Sequence, residues 1–233
     1  MLSRLVIALL WMLHWLPLSV LATMGRGFGW LLYGLAGGRR HVVRTNLRLC
    51  FPELDARARE KIARQHFQAL GRSLLERSLL WWADEARLKR IVHVHNEAVL
   101  RDQLAAGRPV ILLTPHFVGL DAGGARIAME YDAVSIYARQ SNAVIDRWLH
   151  HGRSRFGDQL LLSREEGVRA TVKAMRRGRP LYYLPDMNFR TRDAIFAPFF
   201  GVPAWTITGL SRLARVAGAV VIPCVTRMLP GGR

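Results

Sequence analysis

Two short stretches of the chain share one construction, and that repetition constrains the fold more than any other feature. Gly107-Arg108-Pro109 leads into the apolar run Val110-Ile111-Leu112-Leu113 and then Pro115-His116. Gly178-Arg179-Pro180 leads into residues 181–184 and then Pro185-Asp186. Brief apolar runs bounded by Gly and Pro read as buried strands. Around them strand and helix patterns alternate: strand 91–95, helix from 97, strand 110–114, helix from 120, strand 133–137, helix 143–156, strand 159–162, helix 165–177, strand 181–184, a Pro/Gly/aromatic loop, helix 208–216 and strand 219–225. Helix-separated strands pair in parallel, which predicts an α/β sheet protein. In such a sheet His116 and Asp186 leave neighbouring strands at the same carboxyl edge, where open α/β sheets bind ligands.

A long helix is predicted over residues 55–83, with Ile62, Phe67, Leu70, Leu74 and Leu79 near one face and Arg57, Arg64, Arg72 and Arg77 on the wetter ones. It ends in Trp81-Trp82, a pair that suits core packing, a pocket wall or a membrane interface. His93 and His95 fall on the two sides of a predicted strand, and His150-His151 on a helix surface.

The 20 residues from Leu5 to Met24 carry no formal charge. At about 1.5 Å per residue a helix of that length approaches the ~30 Å hydrocarbon core of a bilayer. The expectation is an uncleaved N-terminal membrane anchor with its juxtamembrane segment over residues 1–38, followed by the α/β domain over 39–233. His14 and Pro17 weaken the span, and Trp11, Trp15 and Trp30 suit an interfacial placement. A cleaved signal peptide competes, although Leu21-Ala22-Thr23-Met24 is a poor cleavage site. Arg26, Arg39, Arg40, Arg44 and Arg48 follow the segment, so the positive-inside rule puts the body on the cytoplasmic side.

Formal net charge is +17, and with three lysines among 34 basic residues the chemistry is mostly guanidinium. Such a surface attracts phosphate and carboxylate groups of nucleic acid, anionic lipid or an acidic protein. No zinc-finger or RRM signature is present and the basic residues do not interleave with aromatics, which ranks nucleic acid below membrane. Cys50 and Cys224 sit far apart in apolar settings and read as inert thiols. With no CxxC or HExxH, neither a metal nor a cofactor is expected.

The chemistry rests on Thr114-Pro115-His116-Phe117-Val118-Gly119-Leu120-Asp121. A histidine titrates near neutrality and accepts a hydroxyl proton, and a carboxylate holds the ring in one tautomer and stabilises the imidazolium. The same pattern also serves a hydrogen-bonded histidine at a strand end beside a solvated aspartate.

His116-x4-Asp121 resembles the HX4D/E motif of the glycerolipid and lysophospholipid acyltransferase superfamily. Pro185-Asp186-Met187-Asn188-Phe189 and the run from Ile195 to Ala204, with Pro198-Phe199-Phe200-Gly201 at its centre, resemble the PDxD and F-x-PFFG blocks of bacterial lipid A biosynthesis acyltransferases. Tyr137-Ala138-Arg139-Gln140-Ser141-Asn142, Asp146-Arg147, Ser163-Arg164, Ile222-Pro223 and Arg44-Thr45-Asn46-Leu47 extend the likeness over nearly the whole chain. Three departures stand out. Asn188 takes the second acidic position of PDxD and Arg190 the following glycine; Asp121 stands where this branch often has Glu; and family members continue beyond position 233 to a basic C-terminus, which implies a shortened catalytic domain.

The resemblance implies a mixed, largely parallel sheet flanked by helices. It also implies transfer of a fatty acyl group from acyl carrier protein to a hydroxyl of a lipid A precursor or related glycolipid, at the bacterial inner membrane. On that reading His116 is the general base and Asp121 orients it. No serine or cysteine nucleophile accompanies the pair, so transfer is direct. Arg139 and Arg164 are candidates to bind phosphate, because a guanidinium grips it through two hydrogen bonds; either equally suits a surface charge. Asp186 and Asn188 complete the candidate substrate-binding set, Asp186 orienting an arginine or capping a loop. Phe196, Phe199 and Phe200 suit core more than an acyl pocket. Other lipid acceptors (a lysophospholipid, an amino-acid lipid, an aryl-polyene lipid) fit the same motif, as does a catalytically silent lipid-binding protein.

Overall fold

The computed structural model describes residues 1–163, 166–187 and 194–229. Among these, four helices come first: α1 (Leu2–Leu13), α2 (Leu18–Leu35), α3 (Gly37–Cys50) and α4 (Ala56–Trp82). The remainder runs α5 (Glu85–Ile91), α6 (Glu97–Ala105), β1 (Val110–Leu113), α7 (Leu120–Ala128), β2 (Val134–Tyr137), α8 (Ala143–Ser154), β3 (Leu160–Ser163), α9 (Gly167–Arg176), β4 (Leu181–Tyr183), β5 (Ala194–Phe199), β6 (Val202–Ile207), α10 (Gly209–Ala217) and β7 (Val220–Pro223).

Five strands form a parallel sheet in the order β3-β2-β4-β1-β7. Period-two alternation splits its side chains between two cores. Ile111, Val134 and Leu181 face Val172 and Met175 of α9 and Leu213 and Ala217 of α10. Val110, Leu112 and Tyr182 face Leu100 of α6 and Ile127 of α7. Both faces are therefore covered, which is why these strands read as continuous apolar runs. The expected α/β architecture with a largely parallel sheet is the one observed. What reads as an aromatic loop is instead an antiparallel hairpin, β5–β6, separate from the main sheet.

The long helix α4 organises the N-terminal half. Asp55 caps it by accepting the Ala58 N–H at 2.6 Å. At its far end Arg155 donates to the carbonyls of Leu80 (2.9 Å) and Ala83 (2.6 Å). Helix α2 lies on it through glycines four residues apart. A Cβ on Gly29 would fall 2.1 Å from the Phe67 carbonyl oxygen, and one on Gly71 would fall 2.3 Å from that of Gly25. Only hydrogen at these positions lets the two backbones approach so closely.

The expected single anchor helix over Leu5 to Met24 is not formed. The apolar run breaks between α1 and α2, where Pro17 supplies no backbone N–H. Arg87 then holds the break by donating to the carbonyls of His14 (2.5 Å) and Leu16 (2.5 Å). Among the described residues no helix is long and apolar enough to cross a membrane.

Three further expectations are corrected. Residues 92–95 form no strand, because α5, capped by Asp84, claims the chain through Ile91, and His93 and His95 line a cavity. For Trp81-Trp82 the core-packing reading is the one observed: Trp81 is buried against Trp148, with Trp82 completing the cluster. Arg72 is not on a wet face: it is buried and pairs with Glu76 at 2.9 Å. Phe196, Phe199 and Phe200 are not core; they lie exposed on the hairpin.

Candidate active site

Strands β1 and β4 are neighbours with Leu113 opposite Tyr183. His116 and Asp186 each lie three residues past that register, so they leave the same carboxyl edge side by side. Buried Thr114 fastens the start of the first loop: its N–H donates to the Tyr183 carbonyl at 2.8 Å and its hydroxyl to the same oxygen at 2.9 Å. Asp186 then grips His116 twice. Its Oδ1 lies 2.6 Å from the ring Nδ1, and its Oδ2 accepts the His116 backbone N–H at 2.7 Å. A proton held on Nδ1 by this carboxylate leaves Nε2 as the acceptor. Both side chains are about one-third exposed or more, at 36% and 40%, so the ring is open to solvent.

Asp121, read in the sequence as the residue that orients His116, is engaged elsewhere. Its Oδ2 accepts from Arg77 of α4 at 2.9 Å and its Oδ1 from Arg153 of α8 at 3.1 Å. The carboxylate thus ties the first turn of α7 to two other helices. Next to it Tyr182 donates to the Leu120 carbonyl at 2.8 Å, and burial pushes that phenol's pKa upward. Arg77 is accordingly not a solvated residue of α4. Neither arginine is marked as a partner of Asp121 by local spacing, since both contacts depend on helix packing.

Arg139 lies exposed two residues beyond β2, at the same edge of the sheet. Asp146 shapes its loop by accepting from the Tyr137 hydroxyl and from the Gln140 N–H at 2.6 Å. The Tyr137 hydroxyl bond is the main cause lowering the Asp146 pKa, while burial and that carboxylate raise Tyr137 to about 12. Arg164 and Asn188 lie outside the described residues. Cys224 is half-buried, and burial raises its thiol pKa, which keeps it protonated and unreactive.

A cavity of about 640 Å³ lies beside the loop on the α6–α7 side of the sheet. Its walls include Leu100, Leu112, Val118, Ile127, Ile222 and Val225, and Arg72, Glu76, Glu97, Asp121, Arg126 and Arg227 provide charge. His116 and Asp186 do not line it; the contact with the site runs through Val118, Gly119 and Asp121.

The model for the bacterial lipid A biosynthesis acyltransferase family matches residues 1–233. The chain is 33% identical over 229 residues to the lipid A biosynthesis lauroyltransferase of Escherichia coli K12, covering 97% of this chain and 74% of that protein. It is 31% identical over 198 residues to a lipid A biosynthesis acyltransferase of Haemophilus influenzae, covering 83% and 62%. To the lipid A biosynthesis palmitoleoyltransferase of E. coli K12 it is 28% identical over 217 residues, covering 93% and 70%. The chain therefore spans between about three-fifths and three-quarters of these relatives' own lengths. The edge-mounted histidine and its carboxylate are features of a chain that belongs to the bacterial lipid A biosynthesis acyltransferase family, a family of acyltransferases.

Proposed function

We propose that the protein moves a fatty acyl group from acyl carrier protein to a hydroxyl of a lipid A precursor, with His116 as general base. The observation that carries this reading is the His116–Asp186 pair at the carboxyl edge of the sheet. Nε2 takes the acceptor's proton as its oxygen attacks the thioester carbonyl. The carbon–sulfur bond then breaks, and the imidazolium returns the proton to the departing thiolate. Asp186 fixes the tautomer and stabilises the imidazolium, and a base so placed contributes about 10²- to 10⁴-fold. Transfer is direct, with no acyl-enzyme.

Asp121 serves the reaction through the scaffold, holding the turn that follows His116 against α4 and α8. The neighbouring cavity receives the acyl chain: it is mostly apolar and within the usual range of ~300–1,000 Å³ for ligand pockets. Arg139, with Arg164, meets phosphate on the glycolipid or on the carrier's prosthetic arm. A net charge of +17 favours encounter with an acidic carrier and an anionic membrane. Exposed Leu5, Leu9, Trp11, Trp15, Trp30 and Leu31 on and between α1 and α2 support attachment to the cytoplasmic face of the inner membrane.

A mass-spectrometric transfer assay tests the reading, using solubilised protein, carrier-protein donors of several chain lengths, and lipid A precursor and lysophospholipid acceptors in competition. Acyl gain on the lipid A precursor that disappears in His116→Ala is the expected result. Gain only on the lysophospholipid would change the acceptor, and no gain on either by folded protein would overturn the proposal.

A further inference from the structure

The β5–β6 hairpin presents apolar side chains to solvent on both faces. Phe196 stacks edge-on against its cross-strand partner Trp205, with ring centres 5.0 Å apart, and both remain exposed. Ile195 and Phe199 are exposed on the opposite face. An isolated two-stranded hairpin is marginal in water, and one apolar on both faces has no good aqueous orientation.

Its turn adds a second observation. Phe200 and Gly201 have φ of 51° and 75°, the left-handed pair of a two-residue hairpin turn. Asn-Gly suits such a turn, whereas a bulky phenylalanine at positive φ is strained. The residue is 55% exposed, so little burial offsets that strain; its ring packs on those of Phe199 and Phe51, the latter with ring centres 5.0 Å apart. Phe51 immediately follows α3, which carries Arg39, Arg40, Arg44 and Arg48. The first acidic residue of the chain is Glu53.

We propose that the hairpin tip, with Phe199 and Phe200 beside the basic helix α3, is a wedge that enters the interface of an anionic lipid bilayer. A protein partner covering one face would leave the other in water, whereas a bilayer interface accepts aromatic rings on both. Exposed Arg48, in the last turn of α3 next to Phe51, meets lipid phosphate, as an anionic membrane favours. The hairpin begins eight residues after Asp186, close in the chain to the carboxyl edge of the sheet. This inference concerns attachment alone and does not depend on the proposed reaction.

The test is flotation of the full chain with vesicles of phosphatidylcholine alone or with phosphatidylglycerol. The key variant is Phe200→Asn, which suits the turn and removes the apolar tip. Binding to phosphatidylglycerol vesicles is expected to fall about tenfold or more while the melting temperature holds or rises. Arg48→Gln is expected to weaken binding about fivefold at low salt and less at high salt. Wild-type flotation that Phe200→Asn leaves unchanged would overturn the wedge without touching the acyl-transfer reading. So would a change confined to self-association in sedimentation velocity, or to binding of an acidic carrier protein.

Discussion

Two carboxylates close to the same loop have been given different work. Asp186 is reached across the sheet from β4 and holds both the ring and the backbone of His116. Asp121, only five residues further along the chain, sits between Arg77 and Arg153. Sequence proximity favours Asp121 as the histidine's partner, yet parallel register brings Asp186 to it. The difference teaches that two polar residues of one short motif can find partners in different parts of the fold, and that spacing alone does not sort them.

The sharpest way to break this comparison is to neutralise each acid in turn. Asp186→Asn is expected to lower kcat by about 10²- to 10⁴-fold, through loss of the oriented tautomer, with little change in melting temperature. Asp121→Asn is expected to cost about 1–3 kcal/mol of stability in chemical denaturation, because it removes the charge shared by two part-buried guanidinium groups and turns an amide NH2 donor towards one of them. Its kcat should fall less than that of Asp186→Asn. A larger kcat loss in Asp121→Asn, at unchanged stability, would reverse the assignment.

A second prediction reaches Asp121 through the scaffold. Gly71→Ala puts a methyl against the backbone of α2 and is expected to destabilise by about 1–3 kcal/mol through overpacking. Because α4 carries Arg77, the displacement should loosen the Asp121 clamp before it disturbs the His116–Asp186 pair. Measured kcat in the still-folded fraction would then stay closer to wild type than in Asp186→Asn.

Smaller effects are expected from the arginines themselves. Arg77→Gln and Arg153→Gln should each cost under about 1 kcal/mol, since one guanidinium remains and both sites are partly solvated. The double variant should lose more than the sum, and strict additivity in a double-mutant cycle would mean that the two arginines do not share Asp121.

The prediction with the smallest effect on kcat lies away from the site and serves as a control on acid sensitivity. Arg44 and Tyr33 hydrogen-bond Glu60 and hold its pKa at about 2 rather than 4.5. A depressed carboxylate stabilises the fold above its unfolded pKa, and that contribution is lost as pH falls from about 4.5 towards 2. Glu60→Gln should flatten stability over this window and leave the kcat ratio of the two aspartate variants unchanged.

Much of the α/β body was legible in the chain. Short apolar runs with Gly and Pro at their ends marked β1 and β4, and the repeated construction put His116 and Asp186 at one edge. Helices α7, α8, α9 and α10 followed from periodicity to within a few residues. The failures share a physical cause. The N-terminal run looked long enough to span a bilayer, but Pro17 and the reach of Arg87 from α5 divide it. The phenylalanines around Pro198 looked like core because apolar residues usually find cover, whereas their hairpin pairs only with itself. Arg72 and Arg77 looked solvated because a helix pattern does not reveal which neighbours will pack against its charged face.

The sequence by itself determined the parallel α/β class, the strand ends and the membership in an acyltransferase family, because apolar period, turn residues and motif order are local properties. Only the tertiary structure decided which acid meets His116, which arginines clamp Asp121, how glycines seat α2 on α4 and where the hairpin stands. Those outcomes depend on strand register and helix packing between residues far apart in the chain, and a one-dimensional pattern carries no direct record of such distances.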